Sequence, residues 1–219
     1  MNPPILQSFP ALSDQIGLRH GFLTRVTGID VAVDRQRALA RLESCHQQAL
    51  SAAGVEPLSV KTLCQVHGDR VRRVVNPDDS TPHWQADGFA TNIPGICLGI
   101  YVADCAAVYL FDPVKRAIAL LHSGKKGAEA GIIRQAVQLM KAAYDSNPSD
   151  LLVQVSPCIR PPQYDLDFAA QIERDARAAG IVHYHDCGDN TGADLQRFYS
   201  YRMEKGKTGR MLAFLVLTS

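Results

Sequence analysis

Three apolar runs in close succession, Ile96–Val102, Ala106–Phe111 and Ala117–Leu121, leave this chain few ways to fold. Each is short, rich in Val, Ile, Leu or Tyr, and bounded by turn residues, which is the pattern of a buried strand. Asp112-Pro113 marks a hairpin-like break between the second run and the third. Between the first and second, Asp104-Cys105 interrupts otherwise apolar sequence, and a carboxylate there needs a partner to offset its desolvation. The third run leads to His122, then Ser-Gly-Lys-Lys-Gly and a helical pattern over Ala128–Tyr144. Backbone N–H groups at such a helix start attract anions, and Lys125 and Lys126 add positive charge.

Helical spacing also runs from Asp34 to Ala53, closed by Gly54, and from Phe168 to Ala179, closed by Gly180. Leu151–Val155 and the almost wholly apolar Met211–Leu217 read as further buried strands, the latter central in a sheet. Leu18–Arg25, Lys61–Val66 and Arg70–Val75 carry weaker strand character, and Met1–Pro10 is Pro-rich and reads as a loose arm. With 219 residues, 46% of them hydrophobic, the chain is one ordinary globular domain with a large core. A formal charge of +1 gives no field to recruit nucleic acid or an acidic membrane. The first residues lack a basic segment followed by an apolar one, and no run approaches the ~18 apolar residues of a spanning helix, so a cytoplasmic location is expected. Cys45, Cys64, Cys97, Cys105, Cys158 and Cys187 form no C-x-x-C pair and fit reduced thiols.

His67, Cys105 and His122 each terminate a strand-like run, and two imidazoles with a thiolate form a donor set suited to zinc or copper. Three protein ligands with an open fourth position describe a catalytic rather than a structural site. Cys105 also reads as a nucleophile with His122 or His67 as its base, and the bland alternative is three unrelated polar residues. Arg160, fixed before Pro161-Pro162, and Arg25, after a short strand, are candidate anion-binding guanidiniums. His20 reads as structural, Asp87 as a turn former with contact to the site as its second reading, and Phe198, Tyr199 and Tyr201 as core aromatics that are also able to stack on a planar ring.

The blocks QVHG at Gln65–Gly68, ADG at Ala86–Gly88, VADC at Val102–Cys105, the HSGKKG turn, SPCIRPPQYDL at Ser156–Leu166 and the closing RFYSYRMEKGKTGRMLAFLVL resemble the YfiH-type proteins, also called laccase-domain or polyphenol oxidase proteins. They keep the family order from Leu18 onward. The resemblance implies an α+β fold, a layered α/β/β/α sandwich in a single catalytic domain over residues 18–219, after an arm of residues 1–17. It also implies a metal triad of His67, Cys105 and His122. The family turn is usually His-Ala-Gly-Trp-Arg-Gly, so Lys125 and Lys126 replace a Trp and an Arg, losing a stacking surface and a bidentate donor. Between Arg25 and the helix containing His46-Gln47 the chain is shorter than the family pattern and lacks its Ser-Leu-Asn-Leu segment and Asn-Arg pair. It reads as a divergent member.

Activities associated with the family are phosphorolysis of purine nucleosides (inosine, adenosine, guanosine), adenosine deamination, methylthioadenosine cleavage, copper-dependent phenol oxidation and editing of peptidoglycan precursors. Multicopper oxidation requires many paired His ligands, whereas seven His with only His183/His185 in H-x-H spacing do not supply them. The expectation is therefore a zinc enzyme, with copper as the alternative metal, acting on nucleosides and phosphate held by Arg25, Lys125, Lys126 and Arg160. A Cys105–His122 amide hydrolase and a metal-binding scaffold without activity are its rivals.

Overall fold

The computed structural model describes residues 4–79 and 81–218. In chain order the elements are β1 (Leu6–Gln7), α1 (Pro10–Ser13), β2 (Leu18–Leu23), α2 (Arg35–Ala52), β3 (Val60–Lys61), β4 (Val71–Arg73), β5 (Gly88–Thr91) and β6 (Cys97–Val102). They continue with β7 (Ala106–Asp112), β8 (Ala117–Ser123), α3 (Lys125–Ala130), α4 (Ile132–Tyr144), β9 (Leu152–Val155), α5 (Phe168–Ala178), β10 (His183–Asp186) and β11 (Met211–Leu217). The strands form a five-stranded sheet of order β1-β2-β11-β6-β3 and a six-stranded sheet of order β10-β9-β7-β8-β5-β4. As its apolar run requires, β11 sits in the middle of the first sheet, antiparallel to both β2 and β6.

Alternation along β7 explains how the layers stack. Ala107, Tyr109 and Phe111 face the other sheet and meet Phe22, Ile100 and Leu215, while Ala106, Val108 and Leu110 face α4 and α5 and meet Ile133, Met140 and Ile172. A strand whose side chains alternate between two apolar layers is hydrophobic throughout, so the run carries no period-two signal. Each fully buried Val, Leu or Phe in these layers contributes roughly 1.5–3 kcal/mol. The Tyr109 hydroxyl, fully buried, donates to Gly21 O at 2.8 Å and ties one sheet to the other. On the outer face of the first sheet, Leu50 of α2 packs with Leu23, Leu212 and Phe214. The result is the layered α/β/β/α sandwich in a single α+β domain.

Asp34 caps α2 by accepting from Arg37 N, and Asp112 turns the β7–β8 hairpin by accepting from Val114 N and Lys115 N. The long helix expected over Ala128–Tyr144 is two helices: α3 begins at Lys125, and Gly131, at φ +80°, breaks the axis before α4. Left-handed backbone of this kind suits glycine, and a run of helical spacing does not reveal it. Of the stretch Met1–Pro10 expected to be a loose arm, residues 1–3 lie outside the described residues, Leu6–Gln7 pairs with β2 and Phe9 is buried. Among the described residues no helix is long and apolar enough to cross a membrane.

Candidate metal centre

The connection from β6 to β7 carries the chain from one sheet to the other, and Cys105 stands at that crossing. The preceding Asp104 adopts φ +80°, and its buried carboxylate accepts from Thr191 Oγ1 at 2.8 Å and from Arg202 N at 2.7 Å. Its own carbonyl accepts from Ile159 N at 2.8 Å. The charge that interrupts the apolar sequence thus has the partners it needs, and it pins the Cys105 turn to three other loops.

His122 lies near the end of β8 and is buried; His67 is exposed in the loop after β3, with φ +62°. Asp87, fully buried just before β5, organises both. Its carboxylate accepts from Val66 N at 3.2 Å, His67 N at 2.9 Å and Gly68 N at 2.7 Å, which fixes the unusual backbone of the QVHG loop. The same carboxylate meets His122 Nδ1 at 2.8 Å, leaving Nε2 of that ring for the cleft. The sequence reads Asp87 first as a turn former and second as a contact of the site, and the second reading is the one the structure shows. The three-residue ADG block was the signal available, since pairing of β5 with β8 brings together residues 35 apart in the chain.

The donor atoms of His67, Cys105 and His122 all lie within 4.8 Å of one another, and metal bonds of ~2.0–2.3 Å would draw them closer still. The two imidazole rings stand nearly perpendicular, with centroids 4.7 Å apart. Burial would raise the Cys105 thiol, but the charge and hydrogen bond of His122, with a hydrogen bond from His67, bring it down to about 6. Burial would lower the His122 imidazole, but the Cys105 thiolate and Asp87 hold it up at about 9. Asp87 stays below its ordinary value: burial opposes this, and the His122 and Gly68 hydrogen bonds outweigh it. A Cβ on Gly124 would lie 2.5 Å from Cys105 Sγ, so the glycine keeps space open beside the sulfur. Thiolate, two imidazoles, a carboxylate fixing one imidazole tautomer and room at the sulfur form a donor set that fits zinc or copper.

The centre opens into a cleft of about 1050 Å³. Lys125 and Lys126 line it, but α3 is only six residues long, so side-chain charge rather than a helix dipole makes that wall positive. The structure does not bring Arg25 and Arg160 to it. Arg25 pairs with Glu204 at 2.6 Å, donates to Phe198 O at 3.0 Å and covers the Tyr199 ring. Arg160 pairs with Asp186 at 2.6 Å and donates to Asp189 O at 3.3 Å. Both partners lie in distant sequence, which is why each guanidinium looked free.

The cleft is lined instead by Arg35, Arg202, Lys205 and Arg210, with Tyr101, Tyr164, Phe168 and Tyr201 among its aromatic groups. Phe198 and Tyr199 are core residues, and His20 accepts from Phe9 N as a structural histidine. The start of α2 contributes its cap Asp34 and its first residue Arg35. All six cysteines are free.

A family model described as multi-copper polyphenol oxidoreductase laccase matches residues 19–170 and 162–218. The purine nucleoside phosphorylase YlmD of Bacillus subtilis is 28% identical over 69% of this chain and 68% of its own length. A purine nucleoside phosphorylase of Deinococcus radiodurans is 29% identical over 92% and 90%. The crystal structure of YlmD from Geobacillus stearothermophilus superposes with a TM-score of 0.84 at 22% identity, covering 99% of this chain and all of that one.

Proposed function

The chain belongs to the multi-copper polyphenol oxidoreductase laccase family, and from that membership and the cleft chemistry we propose a metal-dependent purine nucleoside phosphorylase. His67, Cys105 and His122 hold one zinc ion, with copper the alternative, and Lys125 and Lys126 hold phosphate. The observation that carries this reading is that three metal-ligating donors and these two lysines line one cleft. Relatives named purine nucleoside phosphorylase support the substrate class.

When bound, the metal supplies a Lewis acid beside the reacting centre. Asp87 keeps the His122 Nδ1 proton on its side of the ring, so Nε2 presents a lone pair to the metal. Lys125 and Lys126 orient phosphate toward C1′ of the ribose; its oxygen bonds there as the bond to the purine nitrogen breaks, and the base departs protonated. Adenosine deamination would need a different pose, with water bonding C6 of the purine as the exocyclic amine leaves as ammonia, whereas methylthioadenosine differs from adenosine only away from the C1′–N bond. The described residues offer a single three-donor group, which supports no multicopper oxidase reading. Free cysteines fit a reducing, cytoplasmic setting.

A second reading draws on the Asp87–His122–Cys105 alignment and the depressed thiol: a metal-free amide hydrolase with Cys105 as nucleophile. One experiment separates them. Protein loaded with zinc is incubated with adenosine, inosine, guanosine and methylthioadenosine, with and without phosphate, and the products are weighed by mass spectrometry. Free base plus ribose phosphate, formed only with phosphate and lost on chelation, is expected. Chelation that leaves activity intact, or turnover of none of the four, transfers the proposal to the amide hydrolase, including a role on peptidoglycan precursors.

A further inference from the structure

The cationic side chains lining the cleft outnumber what one phosphate and a neutral nucleoside require. Arg35, Lys125, Lys126, Arg202, Lys205 and Arg210 face it, against the carboxylates of Asp34 and Asp104. Asp104 is occupied by Thr191 and the Arg202 backbone, and Asp34 by Arg37. Lys125 lies 3.9 Å from Glu129 and Arg202 3.5 Å from Asp165. Among the described residues, Arg35, Lys126, Lys205 and Arg210 have no carboxylate within ion-pair distance.

Arg210 is the informative one. It is only 9% exposed, and a buried guanidinium without a counter-charge is strongly disfavoured unless something else neutralises it. Its Nη1 donates to Thr208 O at 2.9 Å and Gly209 O at 2.8 Å, which locks the fork, while Nε and Nη2 have no acceptor among the described residues. Arg35 is aimed by Gln65: its Nη2 donates to Gln65 Oε1 at 3.2 Å, and the Gln65 amide is itself held by Tyr101 O and Tyr101 N. A preorganised fork with free donors matches a phosphate dianion.

The cations also come from two sides. Arg35 starts α2 and Arg210 precedes β11, on the side of the five-stranded sheet, whereas Lys125 and Lys126 follow β8 of the six-stranded sheet. The Cys105 turn crosses between the two sheets. Inorganic phosphate on the lysine wall leaves the arginine wall unneutralised, and a nucleoside carries no charge to offer it.

We propose that Arg35 and Arg210 form a second anion subsite for a phosphate on the ribose of the substrate, so that purine nucleotides, not neutral nucleosides, are the preferred class. This rests on the phosphorylase reading above. The reaction balances without a redox partner: an oxygen of inorganic phosphate bonds C1′, the C1′–N bond breaks, and the base leaves with the electron pair and takes a proton. The products are free base and a ribose bisphosphate.

Calorimetric titration of the zinc-loaded protein in saturating sulfate, an oxyanion that can fill the lysine wall without acting as the nucleophile, with inosine and with its 5′- and 3′-monophosphates, tests the subsite without turnover. At least one monophosphate is expected to bind more than tenfold tighter than inosine. Arg210→Gln should remove roughly tenfold to a hundredfold of that affinity and leave inosine binding alone, since a hydrogen bond to a charged group is of that worth. Arg35→Gln, at an exposed position, supplies the same comparison if the buried variant does not fold. Equal binding of inosine and both monophosphates, displacement of the monophosphate by inorganic phosphate, or equal losses for both ligands in the variants overturns the subsite, whether or not inosine is cleaved. Monophosphate preference lost in the variants supports it even if no nucleoside or nucleotide is phosphorolysed, an outcome that would sink only the phosphorylase reading.

Discussion

The carboxylate of Asp87 meets Nδ1 of His122 at 2.8 Å, and the Asp87 carbonyl accepts the His122 backbone N–H at 2.6 Å. Main chain and side chain of one residue thereby fix both the position and the tautomer of the imidazole, while the other bonds of the carboxylate hold the His67 loop. Asp87→Ala would strand a buried histidine and three backbone donors, which should cost about 3–5 kcal/mol and lower Tm by roughly 6–20 °C. Asp87→Asn keeps an acceptor but sets an amide N–H against one of those donors. It should fold, with zinc affinity down roughly tenfold to a hundredfold in chelator competition. Affinity equal to wild type would show that the triad does not depend on this carboxylate.

Gly124 has φ −109°, which any residue adopts, so Gly124→Ala changes space and not backbone strain. The new methyl group would stand 2.5 Å from Cys105 Sγ, well inside contact distance, and the sulfur has to move. Zinc affinity should fall roughly tenfold or more while thermal unfolding of the metal-free protein shifts little. If the alanine variant binds zinc normally, the sulfur is not confined at this spot.

How much of this was legible in the sequence follows from which interactions are local. The β7–β8 hairpin, the α2 cap and the central β11 were readable because Asp112, Asp34 and an unbroken apolar run act on neighbours within a few residues. The candidate triad was readable as residue types but not as strand ends, because β3 stops at Lys61 and leaves His67 in a loop, and Cys105 lies between β6 and β7. The pairing of Asp87 with His122 was not readable, because the two lie 35 residues apart. Arg25 and Arg160 were misplaced for the same reason, their carboxylates being 179 and 26 residues distant. Arg210 drew no reading from the sequence, because its burial beside the cleft, and not the local bonds to Thr208 and Gly209, is what sets it apart.

In metal-free protein the pH dependence of Cys105 should be distinctive. Its thiol is depressed from 9.0 to about 6, so alkylation by iodoacetamide should rise with pH through about 6 and be level by neutrality. Cys97 and Cys187 are pushed up by burial to about 12, and Cys105→Ala identifies the signal. The depressed thiol contributes stability present above its unfolded value and lost as pH falls through about 6. The raised His122 contributes stability present below 6.5 and lost as pH rises through about 9. Between 6.5 and about 9 the two changes cancel, since the folded and unfolded pairs each hold one proton, so the stability of the metal-free protein owed to this pair should be level there and fall only as pH drops through about 6. A midpoint for Cys105 alkylation near 9 would remove the thiolate–imidazolium pair.

The lysine wall and the two displaced arginines make opposite predictions. Lys126 lines the cleft without a carboxylate partner among the described residues, so Lys126→Ala should raise the phosphate requirement roughly tenfold to a hundredfold and change the nucleoside requirement less. Arg160→Ala should leave both requirements alone and lower stability by about 1 kcal/mol, because the partly exposed Asp186 carboxylate loses its charge-assisted bond. Arg25→Ala should act likewise through Glu204, whose side chain is 24% exposed. Steady-state kinetics with phosphate and nucleoside varied separately, alongside thermal denaturation, reads both effects. A phosphate requirement that rises in Arg160→Ala and not in Lys126→Ala would put the anion on the Asp186 side and empty the lysine wall of its role.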